Sequence, residues 1–301
     1  MEYDKINGKV AFLEGPHKYF NIEDASIQYT SVTTLIGKYE LEFDKEFVSA
    51  YKALERILSP ENWKKEKGGI WKSHKIPKDF LEVYDISQDE LNKVQQDILN
   101  EWAEVNRQSC ERGTKIHSQL EHSFYDAGSN ITLKKFGIGG KFECKKDYTE
   151  LDLDYGIYPE YLIYYDNPKL DLHIAGQIDL LVKNNYDITI IDHKTNKSID
   201  LKGFYNSSTR SAEKMKYPLG HLDNCNFNVY QLQLSTYAWM LQKINSKFVI
   251  KDLILNHYDH SGKNTLYHCS YLKDDVEKML KHYAKQLKLE KQKAKYARIE
   301  Y

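Results

Sequence analysis

Leu172-His-Ile-Ala-Gly-Gln-Ile-Asp-Leu-Leu-Val182, a break at Lys183-Asn-Asn185, and Ile188-Thr-Ile-Ile-Asp-His-Lys-Thr195 decide how this chain is read. Each run is rich in β-branched and large aliphatic residues, and the residues between them favour a turn, so the pair predicts two strands of a hairpin. The second run is apolar at consecutive positions before Asp192, which implies a buried strand. Side chains alternate along a strand, so Asp192 and Lys194 project from one face. Asp179 ends the run beginning at Ile174, and the hairpin sets its carboxylate beside Asp192 at the same end of the sheet. Charges at the end of a buried strand are costly unless they bind something. Two carboxylates and an ammonium can together hold a hard divalent cation and an activated water, which phosphodiester hydrolysis needs.

Working outward, Pro159-Glu-Tyr-Leu-Ile-Tyr-Tyr165 predicts the preceding strand, which Asn167-Pro168 breaks. Near the start, Val10–Leu13 and Lys18–Ile22 around Glu14-Gly-Pro16 predict a hairpin, and hydroxyls ahead of an apolar run at Thr30–Ile36 predict a helix start. Residues 40–125 are helical in pattern, with interruptions expected near Pro60 and at Gly68-Gly69 and a resumption from about Ser87. Ile98, Trp102, Val105, Ile116, Leu120 and Phe124 recur there at helical spacing. Downstream, a polar stretch from Ser198 to Asn228 precedes a helix carrying Leu232, Leu234, Tyr237, Ala238 and Leu241. A strand at Phe248–His257 and a helix from Asp274 follow. The long polar segment Gly203–Asn228 is expected to form a mobile flap over the substrate path.

The chain has 301 residues, 41% of them hydrophobic and 29% charged, in the range of a water-soluble globular protein. No apolar run approaches the ~18 residues of a membrane span. The opening, with Glu2 and Asp4, lacks the apolar segment of a secretory signal, so a cytoplasmic location is expected. Cys110, Cys144, Cys225 and Cys269 are widely separated, which argues against a zinc ribbon and a disulfide framework. The net charge of -1 is unevenly distributed: residues 150–192 hold nine acids against two lysines, whereas residues 278–298 hold eight basic side chains against Glu290. That segregation suits a metal site in one place and a phosphate-contacting face in another. In the closing helix Val276, Met279, Leu280, Tyr283 and Leu287 recur on one side, with Lys278, Lys281, Lys285 and Lys288 on the other and the basic run continuing to Arg298.

The order Arg112-Gly113-Thr114-x-x-His117-x-x-x-Glu121, Glu160, Gly176-x-x-Asp179, Asp192-x-Lys194-Thr195 and Gln233-x-x-x-Tyr237 resembles the RecB-like branch of the PD-(D/E)XK nucleases. Within it the chain is most similar to phage-type exonucleases and mitochondrial genome maintenance exonucleases. The likeness extends over residues 28–242 and includes Tyr29-Thr-Ser-Val-Thr-Thr-Leu-Ile36, similar to the short entry helix of those proteins. It implies an α/β fold, a restriction-endonuclease-like core with a mixed central sheet flanked by helices. Residues 1–301 would form a single nuclease domain, with a helical elaboration at 40–125 and a catalytic core at about 100–257.

The resemblance also implies roles. Asp179 and Asp192 would be metal ligands, Lys194 would orient or activate the attacking water, and His117 and the backbone carbonyl of His193 would be further ligands. Glu160 would supply another acid, with Glu121 competing for that place. Gln233, Tyr237, Arg112 and Thr195 would meet DNA, as would Lys281, Lys285 and Lys288 on charge pattern. Mg2+ or Mn2+ is the expected cofactor. Iron–sulfur relatives use three clustered C-terminal cysteines, whereas Cys269 stands alone, so no iron–sulfur cluster is expected. The implied activity is hydrolysis of DNA from its ends in phage or bacterial replication, recombination or DNA breakdown, with a partner protein from those processes conceivable. A noncatalytic DNA-binding module with a nuclease fold and a structure-selective endonuclease are the competing readings.

Overall fold

The computed structural model describes residues 3–128, 130–146, 153–206 and 210–297. The chain divides into two units, one of Met1–Leu41, Lys115–Tyr205 and Ser211–Tyr301, the other of Glu42–Thr114 with Asn206–Arg210. The first opens with β1 (Lys5–Asn7), β2 (Val10–Leu13) and β3 (Lys18–Asn21), an antiparallel meander that leads to β4 (Gln28–Ser31). Helix α1 (Val32–Gly37) starts where the hydroxyl pattern places it, the Ser31 Oγ accepting the Thr34 N–H at 3.0 Å.

The second unit is helical. Its helices are α2 (Lys45–Ile57), α3 (Pro60–Ser73), α4 (Phe80–Val83) and the first part of α5 (Gln88–Asp126). Asp44, Ser59 and Ser87 cap three of them by accepting backbone N–H groups. The interruption expected at Gly68-Gly69 does not occur. Trp63 and Ile70 are buried seven residues apart on α3, and their packing offsets the ~1 kcal/mol that each glycine costs a helix. Val105, by contrast, is 62% exposed despite its helical spacing.

From Lys115 onward α5 belongs to the first unit. It is followed by β5 (Ile131–Leu133), β6 (Ile138–Phe142), β7 (Gly156–Asn167), β8 (Leu172–Asn184) and β9 (Asp187–Lys194). Two short strands, β10 (Tyr205–Asn206) and β11 (Ser211–Ala212), lead to α6 (Asn226–Ile244), β12 (Val249–Tyr258), β13 (Asn264–His268) and α7 (Lys273–Ala297). The main sheet is mixed, in the order β1-β2-β3-β4-β8-β9-β12-β13, and β7 pairs with β8 as well. Helix α6 makes the crossover between the parallel neighbours β9 and β12.

Strand β8 is the hub. On one side it pairs with β7 from Leu172 to Lys183, with a gap at Asp179 opposite Glu160. On the other it pairs first with β4, where Thr30 faces Ile174 and Ser31 faces Ala175, and then with β9, from Leu180 opposite Ile191 to Asn184 opposite Asp187. Alternate residues feed two cores. Leu181, Ile188, Ile190, Leu253 and Leu255 pack with α1, α6 and α7, while Leu180, Val182, Ile191 and Ile254 pack with Phe124 and the β5–β6 hairpin. The short strand β4 and the edge strand β13 join this sheet without having been anticipated from sequence.

The segment expected as an open flap is largely tied down. Met215 and Leu219 are buried, the Lys216 N–H donates to the Tyr39 carbonyl at 2.7 Å, and Lys214 pairs with Asp223. Residues 207–209 of that segment lie outside the described residues.

A half-buried ionic cluster ties the N-terminal meander to the sheet. Asp166 accepts from the Tyr29 hydroxyl at 2.9 Å and the His173 Nδ1 at 2.7 Å, and pairs with Lys9 at 2.5 Å. Burial pushes the Asp166 carboxyl up, but Lys9, His173 and Tyr29 together hold it below the usual carboxylate value. The stability linked to this group is therefore complete above the unfolded value near 4 and is lost as pH falls through the folded one. Asp166→Asn should cost about 2 kcal/mol at neutral pH, the scale of charged hydrogen bonds lost in a buried site. Denaturant melts from pH 7 to pH 3 should show that deficit shrinking on acidification; a deficit independent of pH would refute the charged role.

Candidate metal centre and active site

The site lies where β8 and β9 part. Their ladder ends at Leu180 opposite Ile191, and β4 takes up the same side of β8 only at Ile174 and Ala175, so the stretch of β8 that holds Asp179 is paired with neither strand there. Beyond that point Asp192, His193 and Lys194 remain paired only with Leu255, Asn256 and His257 of β12. The His193 N–H, which a continued ladder would have satisfied, donates instead to the Asp179 carboxylate at 2.6 Å. The fork thus places two acids near one another at the end of a buried strand.

Three potential ligands converge on this fork. Helix α5 brings the His117 Nδ1 to 3.5 Å from Asp179 and 3.9 Å from Glu160, and its Nε2 to 2.9 Å from the His193 carbonyl oxygen. Donor atoms of His117, Glu160 and Asp179 all lie within 4.8 Å of one another, a spacing that could hold a metal ion. Hard oxygen donors with one imidazole suit a small divalent cation. Glu160 reaches the group through an unusual backbone, its φ of 48° being left-handed within β7. Such a conformation costs a non-glycine residue on the order of 1–3 kcal/mol and is concentrated at functional sites.

Asp192 faces α6. Its Oδ1 accepts from the Gln233 Nε2 at 3.3 Å, and its Oδ2 is ion-paired with the Lys194 ammonium at 2.8 Å. Lys194 donates to the Gln233 Oε1 at 3.3 Å and sits 4.5 Å from the centre of the Tyr230 ring. Burial pushes the Asp192 carboxyl up to about 6, aided by Asp179 and opposed by Lys194 and His117. Asp179 is likewise raised, chiefly by burial, with Glu160 adding to it and His117 opposing. For His117 burial alone would lower the value, but Asp179 and Glu160 raise it to about 9. Clustered acids that resist ionisation are what a cation would relieve.

Gly176 has a definite role. A Cβ there would meet the Tyr237 ring at 2.6 Å and its hydroxyl at 2.8 Å, so only glycine lets that ring lie against β8. Tyr237 in turn accepts from the Gln233 amide at 3.3 Å, which couples the Gly176-x-x-Asp179 and Gln233-x-x-x-Tyr237 motifs.

The structure therefore brings together His117, Glu160, Asp179, Asp192, the His193 carbonyl, Lys194, Gln233 and Tyr237. Glu121 is engaged elsewhere, with Lys5 at 3.4 Å and the Tyr125 hydroxyl at 3.0 Å. Thr195 follows β9 and is partly buried. Arg112 belongs to the helical unit. Lys281, Lys285 and Lys288 line a separate groove on α7, and Arg298 lies outside the described residues. The His193 side chain points to the opposite face, where its Nδ1 accepts from the Asn256 amide at 2.8 Å. Burial drives that imidazole down to about 3, so it is neutral. Tyr230 was missed in the sequence, although its place one turn before Gln233 is a signal for it. A cavity of about 760 Å3 opens beside Lys194, Tyr230 and Gln233, with Phe204, Lys202 and Asn226 also on its wall.

No protein-family model and no curated protein matches the chain. Among solved structures, one from Eubacterium rectale, provisionally named an exonuclease, aligns over 86% of this chain and 80% of its own at 13% identity. Its TM-score of 0.34 is too low to bear on fold or activity. None of the described helices is long and apolar enough to cross a membrane.

Gly176→Ala should shift Tyr237 and cost about 1–3 kcal/mol, as overpacking does. Adding Tyr237→Leu should recover part of that loss in a double-mutant cycle read by denaturant melts. Strictly additive losses would show that the glycine serves something other than this contact.

Proposed function

We propose that this chain is a divalent-metal-dependent DNA nuclease of the PD-(D/E)XK superfamily, of its RecB-like branch, that cleaves phosphodiester bonds from DNA ends. The observation that carries the reading is the fork itself, where Asp179, Asp192 and Lys194 from adjacent strands meet His117 and Glu160 around one opening. The carboxyls of Asp179 and Asp192, raised by burial and by neighbouring acids, are what a cation of the Mg2+ or Mn2+ kind would relieve. Asp179, Asp192, His117, Glu160 and the His193 carbonyl are its proposed ligands. Bound there, such an ion supplies charge neutralisation at a phosphate and a water acidified toward neutral pH.

The remaining work falls to this chain's own side chains. Lys194, held by Asp192, Gln233 and the Tyr230 ring, presents an ammonium to charge developing on the phosphate and to the water that attacks it. Gln233 bridges Lys194 and Asp192 and so fixes their separation, and Tyr237 fixes Gln233. The cavity beside Lys194 is the proposed approach for the strand to be cut, with Thr195 nearby in sequence and Arg112 as a further proposed contact. A role in replication, recombination or breakdown of DNA accords with end-directed cleavage.

The test is a digestion time course on end-labelled linear and circular DNA with Mg2+ or Mn2+. The parent should degrade linear DNA, while Asp179→Asn and Asp192→Asn should be inactive yet folded. Lys194→Met should lose at least ~100-fold in rate, the scale of one lost electrostatic donor, and keep its ion affinity by calorimetry. Cleavage unchanged in the aspartate variants would overturn the proposal, and rapid cutting of circular DNA would replace the end-directed reading with an endonuclease.

A further inference from the structure

Helix α7 does more than close the fold. Its buried side carries Val276, Met279 and Tyr283, and its other side borders a groove of about 740 Å3 against the β7–β8 turn. Lys281, Lys285, Lys288, Lys291 and Lys295 stand along the groove on the helix, and Lys169 stands on the turn. The acid among its lining residues is Asp171, which is ion-paired with Lys291. Between these cations the floor is apolar. Leu170 is a leucine 49% exposed at the tip of the turn, and Ala284 lies opposite it on the helix.

We propose that this groove binds an acidic peptide segment that carries apolar side chains, presented by a partner protein. Charge complementarity sets the sign: six lysines with one paired acid attract an anionic ligand. The apolar floor selects among anions. A duplex contacted through its backbone presents phosphates, which lysines hold by charge alone, and an exposed leucine adds nothing to that. A peptide alternating acids with large apolar residues uses both features, the acids on the lysine rim and an apolar anchor against Leu170 and Ala284. The lysine row from Lys281 to Lys295 spans about 21 Å along the helix, the length of about six extended residues.

The groove is separate from the fork. None of the fork residues lines it, and Asp171 precedes Asp179 by eight positions, about 26 Å along an extended strand. Peptide binding and chemistry at the fork can therefore occur together, and the inference does not depend on the nuclease reading.

Fluorescence anisotropy tests it without metal or DNA. Two short labelled peptides of equal charge are compared, one alternating Asp with Phe and one alternating Asp with Ser. The Asp/Phe peptide should bind about tenfold or more tightly than the Asp/Ser peptide, about 1.4 kcal/mol or more. Leu170→Ser, a surface change that leaves the core untouched, should abolish that advantage, and the triple variant Lys281→Gln, Lys285→Gln, Lys288→Gln should weaken both peptides. No binding, or equal affinities for the two peptides, would overturn the proposal. Duplex DNA that binds in dependence on the three lysines and displaces the Asp/Phe peptide, with Leu170→Ser without effect on either, would assign the face to DNA instead.

Discussion

Everything at the candidate site depends on one hydrogen bond, from the His193 backbone N–H to the Asp179 carboxylate. It forms in the gap between two ladders on one side of β8, since β4 pairs at Ile174 and Ala175 and β9 from Leu180 onward. With the β9 ladder ended at Leu180, the His193 N–H of a buried strand has no strand partner on that side and takes the Asp179 carboxylate instead. An unpaired buried N–H costs free energy on the order of 1–3 kcal/mol, so a carboxylate at position 179 stabilises the fork as well as equipping it. The same residue offers its carbonyl oxygen to His117. One residue's backbone therefore joins the sheet, the helix and the acids.

The arrangement concentrates charge where burial opposes it. Asp179 and Asp192 are both pushed toward the protonated form, and Lys194 offsets only part of that effect. Glu160 adds a left-handed backbone within a strand. Such strain persists only where the surroundings overdetermine it, and here they do: β7 is paired with β8 on both sides of Glu160, Tyr161 and Leu162 are fully buried, and Lys5 donates to the Glu160 carbonyl at 3.2 Å. Stability elsewhere, in the Asp166 cluster and the two sheet faces, supports a centre that is costly by itself.

Much of this was legible in the residues because burial and alternation leave a strong trace. The runs at 172–182 and 188–195 declare their strands, Asp192 and Lys194 their shared face, and Val276 through Tyr283 the buried side of α7. What stayed hidden depends on contacts distant in sequence. The pairing of β4 with β8 rests on Thr30 and Ser31 alone, too short a signal to read. The continuity of α3 through Gly68-Gly69 comes from Trp63 and Ile70, which override local propensity. Glu160 could be named, but the backbone twist that turns its carboxylate toward His117 leaves no mark in composition. The exposed leucine between the α7 lysines was equally invisible, since a turn at Asn167-Pro168 does not disclose which helix it faces.

The proposed chemistry requires a divalent ion at the fork, between the two strands and the α5 histidine. Anomalous diffraction from crystals soaked in Mn2+ tests it most directly. A single strong peak is expected, bounded by Asp179, Asp192 and the His193 carbonyl, with His117 or Glu160 completing the shell. A peak elsewhere with none at the fork, or none at any Mn2+ concentration that supports DNA cleavage, would contradict it.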